Sequence, residues 1–151
     1  MSEGEKIFII GILVFFFMSV AIMAWVETKR DKSYNIARVI DVLELVESSG
    51  GKNLDHAGDE LGILGITPIM VREVNRILGE EVYTNTDRAS RFKSRAMCNI
   101  FLQHQVELYL KSSGMMPTEY MLASSWNTGS IFYPVRHWYV VRYIEEGKKL
   151  I

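Results

Sequence analysis

The sequence predicts a mainly α-helical domain behind one N-terminal transmembrane helix. Three observations carry that reading. Residues 7–26 run for twenty positions without a charge. Beyond Asn35, apolar residues recur at the three- and four-residue spacing of a helix face. Proline and glycine then punctuate the chain at intervals that suit four further helices.

The chain has 151 residues. With a tail (1–6), the apolar span (7–26) and a linker (27–35) set aside, residues 36–151 suffice for one compact domain with its own core. At about 1.5 Å per residue the span reaches roughly 30 Å, the thickness of a bilayer's hydrocarbon core. Trp25 marks its end as an interfacial ring, and Lys29, Arg30 and Lys32 follow. A cleaved signal peptide is the competing reading, with Ser19-Val20-Ala21 as a small-residue cleavage site. The apolar run exceeds the usual signal core of about 7–15 residues, and Lys6 is offset by Glu3 and Glu5. The segment therefore reads as an anchor in a lipid bilayer. The heavier positive charge after it directs the domain to the cytoplasmic side.

The first helix of the domain starts at Asn35, whose side chain can cap it. Ile36, Val39, Ile40, Leu43 and Val46 form its stripe, and Ser48-Ser49-Gly50-Gly51 stops it. Residues 52–65 read as a loop or small hairpin. Pro68 opens a second helix that runs to Leu78, with Gly79 closing it. Asp87 can cap a third, from Arg88 to about Leu110, offering Phe92, Met97, Ile100, Phe101 and Leu108 to the core. Pro117 opens a fourth, ending near Asn127-Thr128-Gly129, and Pro134 a fifth, running to about Glu146.

Composition excludes some functions. A formal net charge of -1 gives no basic face for nucleic acid. The one basic cluster, Arg88, Arg91, Lys93 and Arg95, suits a solvated helix face or contact with an anionic polymer or lipid surface. Cys98 is alone, so no internal disulfide is expected. His56, His104 and His137 have no partner at ligand spacing, so neither a metal nor another cofactor is expected.

Glu47 is the residue that asks for an explanation. It follows Leu43 by four residues and Ile40 by seven, inside the apolar stripe, whereas Glu44 sits at the edge and Asp41 points away. Burying a carboxylate ionised is costly, so it should hold its proton above the free-Glu value of about 4.3. A proton held at a cleft is what a general acid in glycoside cleavage needs. Alternatively, Glu47 is a structural partner of Arg72 or Arg136.

Four segments carry a family resemblance. VESSGG (Val46 to Gly51) resembles the helix-end motif of the goose-lysozyme-like lytic transglycosylases, whose Glu is the essential acid. GILGITP (Gly62 to Pro68) is similar to their Gly-Leu-x-Gln-Ile-x-Pro segment along the sugar cleft. WNTG (Trp126 to Gly129) resembles their aromatic-Asn-x-Gly turn, and HWYVVRYI (His137 to Ile144) their closing helix, where a Tyr-Val pair packs near the catalytic Glu. VREVNRILG (Val71 to Gly79) is similar to a phage-rich branch. The order and spacing match from residue 36 to about 145.

The resemblance implies a lysozyme-like catalytic domain that cuts peptidoglycan glycan strands. Glu47 would protonate the oxygen between N-acetylmuramic acid and N-acetylglucosamine, then take the proton from the muramoyl C6 hydroxyl as that oxygen closes on C1. The product is a 1,6-anhydro sugar. By the same resemblance Ser48, Gly62, Leu64, Gly65, Ile66, Asn127 and Tyr139 form the substrate site, with Asn127 holding substrate or Glu47 through hydrogen bonds. As a turn residue Asn127 also has an ordinary structural role. A hydrolase of the same fold would need a positioned water, often with a second carboxylate, for which Asp55, Asp59 and Glu60 are candidates if they are not merely solvated loop residues. Gly65 departs from the family, which has Gln there; the sequence thereby loses an amide able to bond the sugar, and a lapsed structural membrane protein becomes a further alternative.

Peptidoglycan lies outside the cell, whereas Lys29, Arg30 and Lys32 point inward. A membrane-containing phage resolves the conflict, because the cytoplasmic face of captured host lipid turns toward the capsid. The expected location is the virion's internal membrane, near capsid or other virion membrane proteins. The alternative is the bacterial inner membrane facing the periplasm.

Overall fold

The computed structural model describes residues 35–54 and 58–150. The tail, the apolar span, almost all of the linker, Asp55 and His56 lie outside the described residues. Among the described residues no helix is long and apolar enough to cross a membrane. The described residues form one compact unit.

That unit is mainly α-helical. Its helices are α1 (Ile36–Ser48), α2 (Pro68–Leu78), α3 (Arg91–Ser113), α4 (Glu119–Thr128) and α5 (His137–Gly147). Among the described residues there is no strand, only an isolated antiparallel bridge between Leu61 and Ile66 in the loop before α2. Helix α1 packs against α3, α4 and α5, and α3 also carries α2 on its flank.

The α1 stripe forms as its spacing predicts. Val39, Ile40, Leu43 and Val46 are buried in the core with Phe101, Leu102, Leu122 and Tyr139. Asn35 Oδ1 caps the helix by accepting from the Ala37 and Arg38 amides. At the other end the backbone turns left-handed at Ser49 (φ 52°), and Gly50 and Gly51 continue at positive φ. Three such residues in a row reverse the chain two residues after Glu47.

Three local expectations fail. Asp87 does not cap α3; it closes a 3₁₀ turn, Asn85–Ala89, by accepting from the Thr84 amide and hydroxyl. The α3 cap is Ser90, whose Oγ accepts from the Lys93 amide. Phe92 is 81% exposed and Leu108 is exposed as well, because α3 turns those positions away from α1. Pro117 and Pro134 lie before their helices: α4 is capped by Thr118 and α5 begins at His137.

Candidate active site

Helices α1, α2, α3 and α4 and the loop before α2 line a cleft of about 500 Å³. Phe101 and Trp126 meet edge-to-face at 5.8 Å beneath it, while Ile69 and Met70 of α2 add apolar surface along one side. Glu47, Glu60 and Glu73 are its charged lining, and Thr67, Asn127 and Thr128 add neutral polar groups. The cleft thus has an aromatic and aliphatic base with carboxylates around it, a surface suited to uncharged, hydroxyl-rich rings.

Glu47 reaches the cleft half-buried from the last turn of α1. Its Oε1 accepts a 2.5 Å hydrogen bond from the Tyr139 hydroxyl of α5. Tyr139 is only 2% exposed, and its phenol is pushed well above its ordinary pKa by burial first and by the adjacent Glu47 carboxylate second. Its proton is therefore held throughout the neutral range, and it acts as a fixed donor to the acid. Burial and nearby carboxylates likewise raise the Cys98 thiol, leaving it a protonated core residue.

One turn earlier, Glu44 is 3% exposed rather than at the edge of the stripe. Arg91 Nη2 and Arg95 Nη1 donate to its two oxygens at 2.8 and 2.9 Å, and Arg95 Nη2 reaches Asp41 at 2.7 Å. A buried carboxylate survives when opposite charges satisfy it in this way. The basic cluster lies partly on a solvated helix face, with Arg91 and Lys93 exposed, yet its charges pair within the fold. Arg88 Nη1 donates to the carbonyls of Asp59 and Ile66, holding the loop that carries Gly65 to the cleft. Lys93 pairs with Asp87.

The structure brings together only part of the expected substrate set. Glu47, Gly65, Ile66 and Asn127 line the cleft, and Asn127 Oδ1 accepts from Arg136 Nη1 at 3.2 Å. Ser48 does not line it. Its buried hydroxyl donates to the Glu44 carbonyl and accepts from the Gly51 amide, finishing the helix. Leu64 is fully buried in the core. Gly62 packs so closely that an added Cβ would sit 2.0 Å from the Arg88 carbonyl oxygen. Tyr139 stands behind Glu47 rather than along the cleft.

Glu73 was missed. It projects from α2 into the cleft, and Arg76 holds it with two 2.7 Å hydrogen bonds. Those bonds lower its pKa against the opposing effect of burial. No sequence signal set it apart, because an i, i+3 charge partner such as Arg76 is ordinary on a helix face. Glu60 also lines the cleft, whereas Asp59 offers its carbonyl to Arg88 and is not part of the lining. No protein-family model, curated protein or solved structure matches the chain.

Proposed function

We propose that this protein is a peptidoglycan lytic transglycosylase with Glu47 as its acid and base. The supporting observation is the half-buried Glu47 carboxylate at an aromatic-based cleft, held by the fixed phenol donor of Tyr139. In this reading protonated Glu47 delivers its proton to the glycosidic oxygen as the C1–O bond breaks. The resulting carboxylate then removes the proton of the muramoyl C6 hydroxyl, and the C6 oxygen bonds to C1. Glu47 ends protonated, ready for the next bond, with no water consumed. Trp126 and Phe101 beneath the cleft would carry the sugar faces, and Asn127 and Thr128 would meet their polar edges.

A hydrolase is the second reading, favoured by Glu60 and Glu73 in the same cleft. Either carboxylate would have to activate a water on the far side of the sugar from Glu47. Incubating the full chain with purified peptidoglycan and weighing the products separates the two. Anhydro ends support the transglycosylase, and new reducing ends the hydrolase. The absence of any product would mean that catalysis has lapsed.

Residues 7–26 would hold the domain at a bilayer. The internal membrane of a membrane-containing phage fits Lys29, Arg30 and Lys32, with capsid and other virion membrane proteins as neighbours. Protease treatment of spheroplasts expressing the chain tests the location. Digestion of the domain while the inner membrane stays intact would place it in the periplasm instead.

A further inference from the structure

Three large side chains stand out into solvent where α3 gives way to α4. Met115 is 61% exposed, Met116 46% and Tyr120 45%. Their neighbours hold them there. Gly114 closes α3 in the left-handed region (φ 68°), Ser113 Oγ accepts from the Met115 amide at 3.2 Å, and Thr118 caps α4. Pro117 is buried between the methionines and that cap. Tyr120 meets Tyr143 of α5 edge-on at 6.3 Å, which fixes its ring. Leu110, near the end of α3, is exposed as well. Apolar side chains clustered on a surface in this way mark a contact face.

The cluster lies on the side where the chain enters the domain. Asp41 pairs with Arg95 and Glu44 with Arg91, so α1 and α3 run antiparallel and α3 ends on the side where α1 begins. Arg38, in the first turn of α1, lies 3.7 Å from Glu119 at the start of α4, and the Tyr143 hydroxyl donates to the same carboxylate. Residues 27–34, between the apolar span and Asn35, reach at most about 28 Å when fully extended. A bilayer holding residues 7–26 therefore stays close to this face. Glu47 sits at the opposite end of α1, roughly 17 Å along the helix.

We infer that Met115, Met116 and Tyr120 dock the domain on the interfacial layer of a lipid bilayer, with the Glu47 cleft at the far end of α1 from the lipid. This rests on the reading of residues 7–26 as an anchor and adds to it how the domain is held. Methionine is apolar and flexible, which suits the irregular boundary between headgroups and acyl chains. Tyrosine offers a ring to the apolar side and a hydroxyl to the wet side. The carboxylate nearest the face, Glu119, has Arg38 beside it, so its charge does not oppose docking. Docking fixes the height of the cleft above the lipid, and with it the layer of glycan that the domain meets.

Quenching by nitroxide lipids tests this on the full chain reconstituted in phosphatidylcholine vesicles. A maleimide dye is carried on Phe16→Cys, Ser112→Cys or Phe92→Cys, and native Cys98 is buried and does not compete. Phe92 is an exposed position on α3 about 30 Å from Ser112. A nitroxide deep in the acyl chains should quench the dye at position 16. A headgroup nitroxide should take most of the emission at position 112 and little at position 92. Met115→Asp with Met116→Asp should then cut the quenching at 112 to the level seen at 92, because charge opposes entry into the apolar boundary. Met115→Gln with Met116→Gln, which adds no charge, should lower it part of the way and serves should the aspartates disturb the loop. Quenching at 112 that neither pair changes would mean that the tether alone keeps the domain near lipid, and the inference falls. Equal quenching at 112 and 92 also overturns it, while leaving the anchor in place. An unquenched dye at position 16 removes anchor and inference together.

Discussion

The Tyr139 hydroxyl donates to Glu47 Oε1 at 2.5 Å, joining α5 to the last turn of α1 across ninety-two residues of sequence. Hydrogen bonding to a carboxylate favours its ionised form, whereas burial favours the protonated one. Removing the donor takes away one interaction that favours the ionised form. Tyr139→Phe should therefore move the alkaline limb of the pH–activity profile, where the protonated acid is lost, to higher pH, because Glu47 then holds its proton more tightly. Folding stability should fall by about 1 kcal/mol, the usual worth of one buried hydrogen bond. Paired pH–rate profiles and urea melts measure both. An alkaline limb that stays in place or moves lower would mean that the phenol does not tune the acid.

Glu47→Gln keeps the shape and an oxygen to accept from Tyr139, yet it has no proton of suitable acidity to give. Cleavage of peptidoglycan should drop by at least about a hundredfold, while the thermal midpoint stays within a few degrees. Retention of near-normal turnover would remove Glu47 from the catalytic role.

Much of this arrangement was legible in the sequence, for physical reasons that differ by residue. Glu47 stood out because a carboxylate interrupts an apolar stripe, and local periodicity is enough to see that. The start of α1 and the extent of α2 were equally plain, since Asn35, Pro68 and Gly79 act on their immediate neighbours. Glu44 looked peripheral because its burial depends on Arg91 and Arg95, forty-seven and fifty-one residues away. Phe92 and Leu108 misled for the related reason that a long helix touches different partners along its length, so its stripe drifts. Ser48, Leu64 and Gly62 sit inside motif-like segments, but there they build the helix end and the loop that present their neighbours to the cleft. Sequence resemblance does not separate those two kinds of work.

Asp87 gives a prediction about acid stability. Lys93 first, then the Thr84 amide, lower its carboxyl from 3.8 to about 2. A folded pKa below the unfolded one means that the ionised group stabilises the fold above pH 3.8. That contribution is lost as pH falls through about 2. Asp87→Asn should thus lower stability at neutral pH and flatten its decline over this acid window. Chemical denaturation from pH 2 to 7 measures it. An unchanged slope in the variant would show that the capping turn contributes nothing to acid sensitivity.

Gly62 and Gly65 lie three residues apart in one turn, both at positive φ (79° and 56°), yet they should respond to substitution in opposite ways. At Gly62 an added Cβ would lie 2.0 Å from the Arg88 backbone oxygen, an atom already fixed by Ser94 Oγ at 2.7 Å. Neither side can yield cheaply, so Gly62→Ala should cost about 3 kcal/mol or more and lower activity only through loss of folded protein. Gly65 instead lines the cleft. Gly65→Gln should cost about 1–2 kcal/mol for the left-handed backbone, while placing an amide where a sugar could bond it. At temperatures well below its midpoint the variant should show a lower KM for peptidoglycan. Denaturant melts and steady-state kinetics on both variants separate the effects. A raised KM in Gly65→Gln at full folding would mean that the glycine's open backbone is itself the sugar contact, and that the missing amide is no defect in this cleft.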